Sequence, residues 1–279
     1  MQYKSLLLLL LVAAGLCTQN SIAQSHSLTK LWQSDTVLKV PESVLFDGKA
    51  KLLYVSNIDG QPWEKDGKGS IGKLALDGKI INAEWVTGLD APKGIGQYKN
   101  NLYVADLDNV VVIDIAAGKI AKKIHVEGAE GLNDVSVDKK GMVYVTDSKA
   151  GKIYSLVQDK PTLMVQDLKG LNGVLAVDND VYAVAAGALL KIGADKKPVT
   201  VAQGMEPATD GIEQVAANEF LVSVWNGVVY YVTAGAAPQV LLDTREQKSN
   251  TADIGYDKAN RTVYVPTFFK NSIVAYKLQ

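Results

Sequence analysis

Apolar and polar residues alternate with a period of two along most of this chain, in short runs that end in turn-forming residues. One run recurs six times: LLYVSN from Leu52, NLYVAD from Asn101, MVYVTD from Met142, DVYAVA from Asp180, EFLVSV from Glu219 and TVYVPT from Thr262. Ahead of each stands a second run: ESVLF from Glu42, KGIGQY from Lys93, NDVSV from Asn133, NGVLAV from Asn172, DGIEQV from Asp210 and ADIGY from Ala252. Behind each stands a third, beginning at Ile71, Val110, Gly151, Ala188, Gly227 and Ser272, with Asp-Gly, Ala-Gly and Gln-Asp ends that suit tight turns. Successive copies lie about 40 residues apart, close to the period of four-stranded propeller blades. Helical patterns of ten or more residues are absent after the N-terminal segment, which excludes helical repeats and solenoids.

The pattern therefore predicts an all-β chain, a six-bladed β-propeller with four-stranded antiparallel blades. Outer strands are expected over 83–87, 121–126, 161–166, 199–203 and 239–242. The stretch 28–33 has no hairpin partner nearby and is expected to complete the last blade, because a ring closed by its N-terminal strand has no free sheet edge.

The N-terminus reads differently. Residues 1–24 combine Lys4, an apolar run from Leu6 to Leu16 and a small-x-small site at Ser21 and Ala23, the pattern of a secretory signal peptide. The run is about half the roughly 20 residues that a membrane span needs, and no later segment is long enough. The domain is then 25–279, exported to the periplasm or secreted. Leu16 stands before Cys17 where lipidated precursors carry a small residue, so no lipid anchor is expected. Cys17 is the only cysteine, so cleavage leaves no disulfide and stability must come from packing. A net charge of −1 with no basic stripe gives no reason to expect nucleic acid, and no basic amphipathic helix suggests membrane binding. A monomer is expected.

The first strand of each propeller blade lines the central channel, and all of them start at one face. Aligned on Val44, Ile95, Val135, Val174, Ile212 and Ile254, the six copies place Glu42, Lys93, Asn133, Asn172, Asp210 and Ala252 in one ring. Two carboxylates and two amides converging on an axis suit a hard cation. Ca²⁺ is first choice, with Zn²⁺ or Mn²⁺ as alternatives at an oxygen site. Such residues at strand starts also form Asx turns, which is the competing reading for each taken alone. Lys93 would instead hold a substrate carboxylate or phosphate.

These residues resemble the senescence marker protein/gluconolactonase (regucalcin-like) family of six-bladed, metal-dependent lactonases. PESVLFD at Pro41 is similar to its metal-binding Glu motif, GLNDVSVDKKGMVYVTDS from Gly131 to its Asn-Asp-Gly stretch, GLNGVLAVDNDVYAV from Gly170 to its Asn-Gly stretch, and TDGIEQV from Thr209 to its Asp-Gly stretch. The resemblance spans nearly all of 25–279 in the same order. It implies Glu42, Asn172 and Asp210 as metal ligands, with Asp210 also the general base, and Asn133 as a contact to substrate or to a metal-bound water. Lys93, Asp134 and Trp225 complete the expected substrate-binding set, Trp225 by stacking on a ring. The implied activity is divalent-metal-dependent hydrolysis of a lactone or related ester. Two departures stand out: Gly131 replaces an Arg common in the family, removing a donor for a sugar-like substrate, and Val135 replaces a Gly.

YVSN and YVAD also resemble short-repeat propellers of bacterial envelopes, which supports the alternative of a non-catalytic propeller that binds a ligand or a protein. The ends of the second strands should bring Asn57, Asp106, Asp147, Trp225, Asn226 and Phe268 to the mouth, with Asp106 and Asp147 forming turns. The insertion 58–70, carrying Trp63, is either a lid or a plain surface loop. No Ser–His pair or glycine-rich phosphate loop is evident.

Overall fold

The structure, a computed structural model, describes residues 25–279. The signal peptide read in residues 1–24 lies outside the described residues. Six four-stranded antiparallel sheets form the six blades, five built from four consecutive strands and the sixth from the last three strands and the first. The innermost strands are Pro41–Asp47, Pro92–Tyr98, Leu132–Val137, Leu171–Val177, Thr209–Ala216 and Gly255–Asp257. The outer strands of the first five blades are Ile80–Leu89, Lys119–His125, Lys160–Val165, Pro198–Gln203 and Gln239–Asp243, each overlapping the segment expected from the sequence. Among the described residues no helix is long and apolar enough to cross a membrane.

The N-terminal strand Leu28–Gln33 pairs antiparallel with Ile273–Leu278 and supplies the outer strand of the sixth blade. Leu28 lies opposite Leu278 and Gln33 opposite Val274, with a bulge between Lys30 and Trp32. Ring closure thus satisfies the edge of the last hairpin with backbone from the other end of the domain. His26, just ahead of this strand, stacks on Tyr231 of blade five at 3.8 Å, which ties the closing strand to the neighbouring blade as well.

Strand alternation sends one set of side chains into each gap between blades, and six apolar clusters fill the six gaps. Val, Ile, Leu and Tyr dominate them, the types that pack well on pleated sheets. A seventh cluster, Ile58, Ala91, Ala252 and Phe268, lies apart from these gaps at the strand-start face, where blades six, one and two meet.

Two features decide where the axial side chains point. In five blades the pairing of the inner strand slips by a residue near its start, between Pro41 and Ser43, Pro92 and Ile95, Leu132 and Val135, Leu171 and Val174, and Thr209 and Ile212. A bulge re-aims the side chain at its site, and here it falls on the ring position every time. The sixth blade differs. Its inner strand begins only at Gly255, because the backbone before it bonds sideways: Asp253 N–H donates to Glu42 O at 2.9 Å, and Val44 N–H donates to Asp253 O at 3.3 Å.

Candidate functional site

Glu42, Lys93, Asn133 and Asp210 are all buried at the strand-start end of the channel, and Asn172 is partly so. Desolvation is the first consequence. Burial pushes the Asp210 carboxyl up to about 8, with the nearby Asp134 adding to the rise and a hydrogen bond from the Asn172 side chain opposing it. Burial also drives Glu42 well above the usual carboxylate range, reinforced by Asp210 and opposed by Lys93. Glu42 and Asp210 come from blades one and five, so their mutual influence shows that the ring converges. Glu42 Oε2 and Asn172 Oδ1 are buried without any hydrogen-bond partner. Acceptor oxygens left this way cost stability unless something donates to them or neutralises them.

The Lys93 ammonium is taken up by neighbouring backbone. Its Nζ donates to Pro62 O at 2.5 Å and Ala91 O at 2.9 Å and lies 4.0 Å from the centre of the Trp63 ring. Burial lowers its pKa to about 8 against the pull of Glu42 and Asp106. The insertion 58–70 therefore folds onto the ring, held by its own carbonyl and by a cation–π contact. Lys149 also lies over Trp63, 4.4 Å from the ring centre. A Cβ at Gly131 would fall 2.8 Å from the Lys149 stem and 2.9 Å from Trp63. The space that an arginine would need at 131 is taken by this tryptophan.

Asp134 accepts backbone N–H groups from Val135 and from Val174 of the next blade, both at 2.6 Å. Burial nevertheless raises its pKa to about 6. Of the second-strand ends, Asp106 accepts from the N–H groups of Asp90 and Ala91, and Asp147 from those of Glu130, Gly131 and Ala150. Both close inter-blade turns. Trp225 is 36% exposed and meets Phe268 edge-on at 5.6 Å.

A second layer of polar groups lies one to four residues further along the inner strands, and of it the sequence had pointed only to Asp134. Asp253 accepts from Ser43 Oγ at 2.5 Å and is held well above the usual carboxylate range by burial, then by Asp134, Glu42 and Asp210. Glu213 is pushed up to about 8 by burial and then by Asp134. These two, with Asp134, Ser43, Ser136 and Gln97, line a cavity of about 310 Å³ in the channel that none of Glu42, Asn133, Asn172 or Asp210 reaches. The signal was present in the alignment used for the ring: one position on, it reads Ser43, Gly94, Asp134, Gly173, Gly211 and Asp253. Gly94 and Gly211 each precede an acid of the next blade, and the reason is steric. A Cβ on Gly94 would come within 2.3 Å of Asp134 Oδ1, and one on Gly211 within 2.4 Å of Asp253 Oδ1.

The donor set bears on cation binding. Among the described residues no three or more His, Cys, Asp or Glu side chains are grouped to hold a metal ion. The ring offers two carboxylates, and its other oxygens are amides.

No protein-family profile matches the chain, and no curated protein matches it. Solved structures do. A streptogramin B lyase is similar at a TM-score of 0.65 and 12% identity, over 91% of this chain and 98% of that one. The likeness is one of fold. A catalytically inactive His-to-Ala variant of virginiamycin B lyase from Staphylococcus aureus, with quinupristin, follows at 0.63 and 14%, over 91% and 99%. A nidogen/laminin complex matches at 0.63 and 17%, over 78% of this chain and 84% of that one.

Proposed function

We propose that this chain is an exported, divalent-metal-dependent hydrolase of lactones or related esters, with its site at the strand-start end of the channel. The observation that carries the reading is the pair of partnerless buried oxygens, Glu42 Oε2 and Asn172 Oδ1, beside the raised carboxyl of Asp210. Acceptor-only oxygens from three blades, two of them ionisable, suit a cation far better than they suit one another. Glu42, Asn172 and Asp210 would hold it, with Ca²⁺ favoured by the all-oxygen donors. Bound there, it would supply Lewis acidity toward a carbonyl oxygen and toward water.

The chain's own groups account for the rest. Asp210 takes a proton from the attacking water as that oxygen bonds to the carbonyl carbon, and returns it to the leaving oxygen as the C–O bond breaks, so that an acid and an alcohol result. The Asn172 side chain lies beside Asp210 and favours its charged form. Asn133, buried at the start of the blade-three inner strand, would bond the substrate. Lys93 offsets the charge of Glu42 and anchors Pro62 and Trp63 over the ring, where they limit access of bulk water. A histidine base is not at hand. The virginiamycin B lyase variant that lacks a histidine is inactive, but here His26 stacks on Tyr231 and His125 is exposed on an outer strand.

The test is turnover of aldonolactones, acyl-homoserine lactones and aryl esters by residues 25–279, with Ca²⁺, Mn²⁺ or Zn²⁺ or with chelator. Metal-dependent hydrolysis reduced at least about 100-fold in Asp210→Asn is the expected result, in the range of losing a proton-transfer group. Absence of turnover in a protein that binds the cation would turn the reading toward a ligand-binding propeller.

A further inference from the structure

At the strand-start face stands a group of three aromatics, one of which has a strained backbone. Phe268 adopts φ of +48°, an outlier for a bulky residue. Such conformations persist only where surrounding structure enforces them, and they collect at functional sites. The enforcement is visible: Thr267 Oγ1 donates to Ser272 O at 2.8 Å and accepts from Ser272 N–H at 3.1 Å, and Asn271 Oδ1 accepts from Val40 N–H at 3.1 Å. The strained turn buries Phe268 against Ala252, the apolar member of the ring, and leaves Phe269 60% exposed. Phe268 and Phe269 meet edge-on at 4.7 Å, and Trp225 packs against both. The Trp225 backbone N–H donates to Ala208 O at 2.9 Å, two residues before Asp210 on the same chain segment.

We propose that Trp225, Phe268 and Phe269 form the apolar wall of this mouth and hold a hydrophobic group, an alkyl chain or an aryl ring, attached to the ester or lactone that reacts at Asp210. The inference rests on the hydrolase reading and names its substrate class. An aromatic surface continuous from the ring at Ala252 to solvent at Phe269 favours such a group over a polyhydroxylated one. The donors that a sugar would need point the same way. The Lys93 ammonium is spent on Pro62 and Ala91, Ala252 offers none, and Trp63 fills the space beside Gly131.

The experiment compares kcat/KM for a γ-lactone bearing a hexyl chain with its methyl analogue, in wild type and in Phe269→Ala, a substitution at an exposed site. Burial favours each added methylene by up to about fourfold, so partial burial on this wall predicts a hexyl preference of about tenfold or more in wild type, falling to about threefold in the variant. In parallel, the corresponding hexyl γ-lactam, a non-hydrolysed isostere, is titrated calorimetrically. Turnover with no hexyl preference, or the same preference in both proteins, overturns the wall and leaves the hydrolase reading standing. No turnover, with lactam binding that Phe269→Ala weakens, keeps the wall and overturns the hydrolase reading. Neither turnover nor lactam binding overturns both.

Discussion

Glu213 shows how a single side chain's surroundings set a measurable property. Its carboxyl faces the channel cavity yet is held at about 8 by burial, then by Asp134. An unfolded Glu ionises near 4.3. Between about pH 4.3 and about 8 the folded protein therefore keeps a proton that the unfolded chain has lost, so stability falls as pH rises through this window and is level above it. Without divalent ions, the urea midpoint should drop between pH 5 and pH 8, and Glu213→Gln should recover at least about 1 kcal/mol of that loss. An equal drop in the variant would contradict the account. Gly94 makes a steric case. Its substitution by Ala would press a Cβ to 2.5 Å from Asp134 Cα, which is backbone and cannot swing away. A loss of about 2 kcal/mol or more is expected in urea unfolding, as for overpacked cores. A wild-type midpoint would show that the neighbouring inner strands can part.

Among the elements, the closing strand carries the clearest consequence. Leu28–Gln33 covers the edge of Ile273–Leu278, and its Trp32 packs into the apolar gap between blades six and one. A variant beginning at residue 34 should melt at least about 10 °C lower and self-associate on size exclusion, because an uncovered strand edge pairs with other chains. A monomer with an unchanged melting temperature would refute this. The strands and this closure were legible in the sequence because a period of two and a repeat of about 40 residues are direct imprints of pleat and blade. The ring was legible for the same reason. Less legible was anything that depends on neighbours from another repeat. The bulges at the ring leave no local signature. The sideways bonding of Asp253 to Glu42 and Val44, which shortens the sixth inner strand, depends on a residue over 200 positions away. The packing of Trp63 against Lys93 and Lys149 likewise arises only when the insertion folds across blades two and three. It also explains physically why residue 131 is Gly.

At the scale of the whole molecule, the propeller sets five blades' worth of strand-start side chains around one axis and buries them, so charges that would be harmless on a surface raise one another's pKa. Glu42, Asp134, Asp210 and Asp253 are all shifted upward, chiefly by burial. Lys93 lies beside this group, but its ammonium is tied to backbone carbonyls. A divalent cation at Glu42, Asn172 and Asp210 would satisfy the partnerless oxygens and relieve this electrostatic load together. Calorimetric titration of the metal-free protein with Ca²⁺ tests that claim most directly. The account predicts one ion per chain, with affinity reduced at least about tenfold in Glu42→Gln, which removes a charged ligand but keeps its shape. No binding of Ca²⁺, Mn²⁺ or Zn²⁺ to the folded wild-type protein, or equal affinity in the variant, would contradict it.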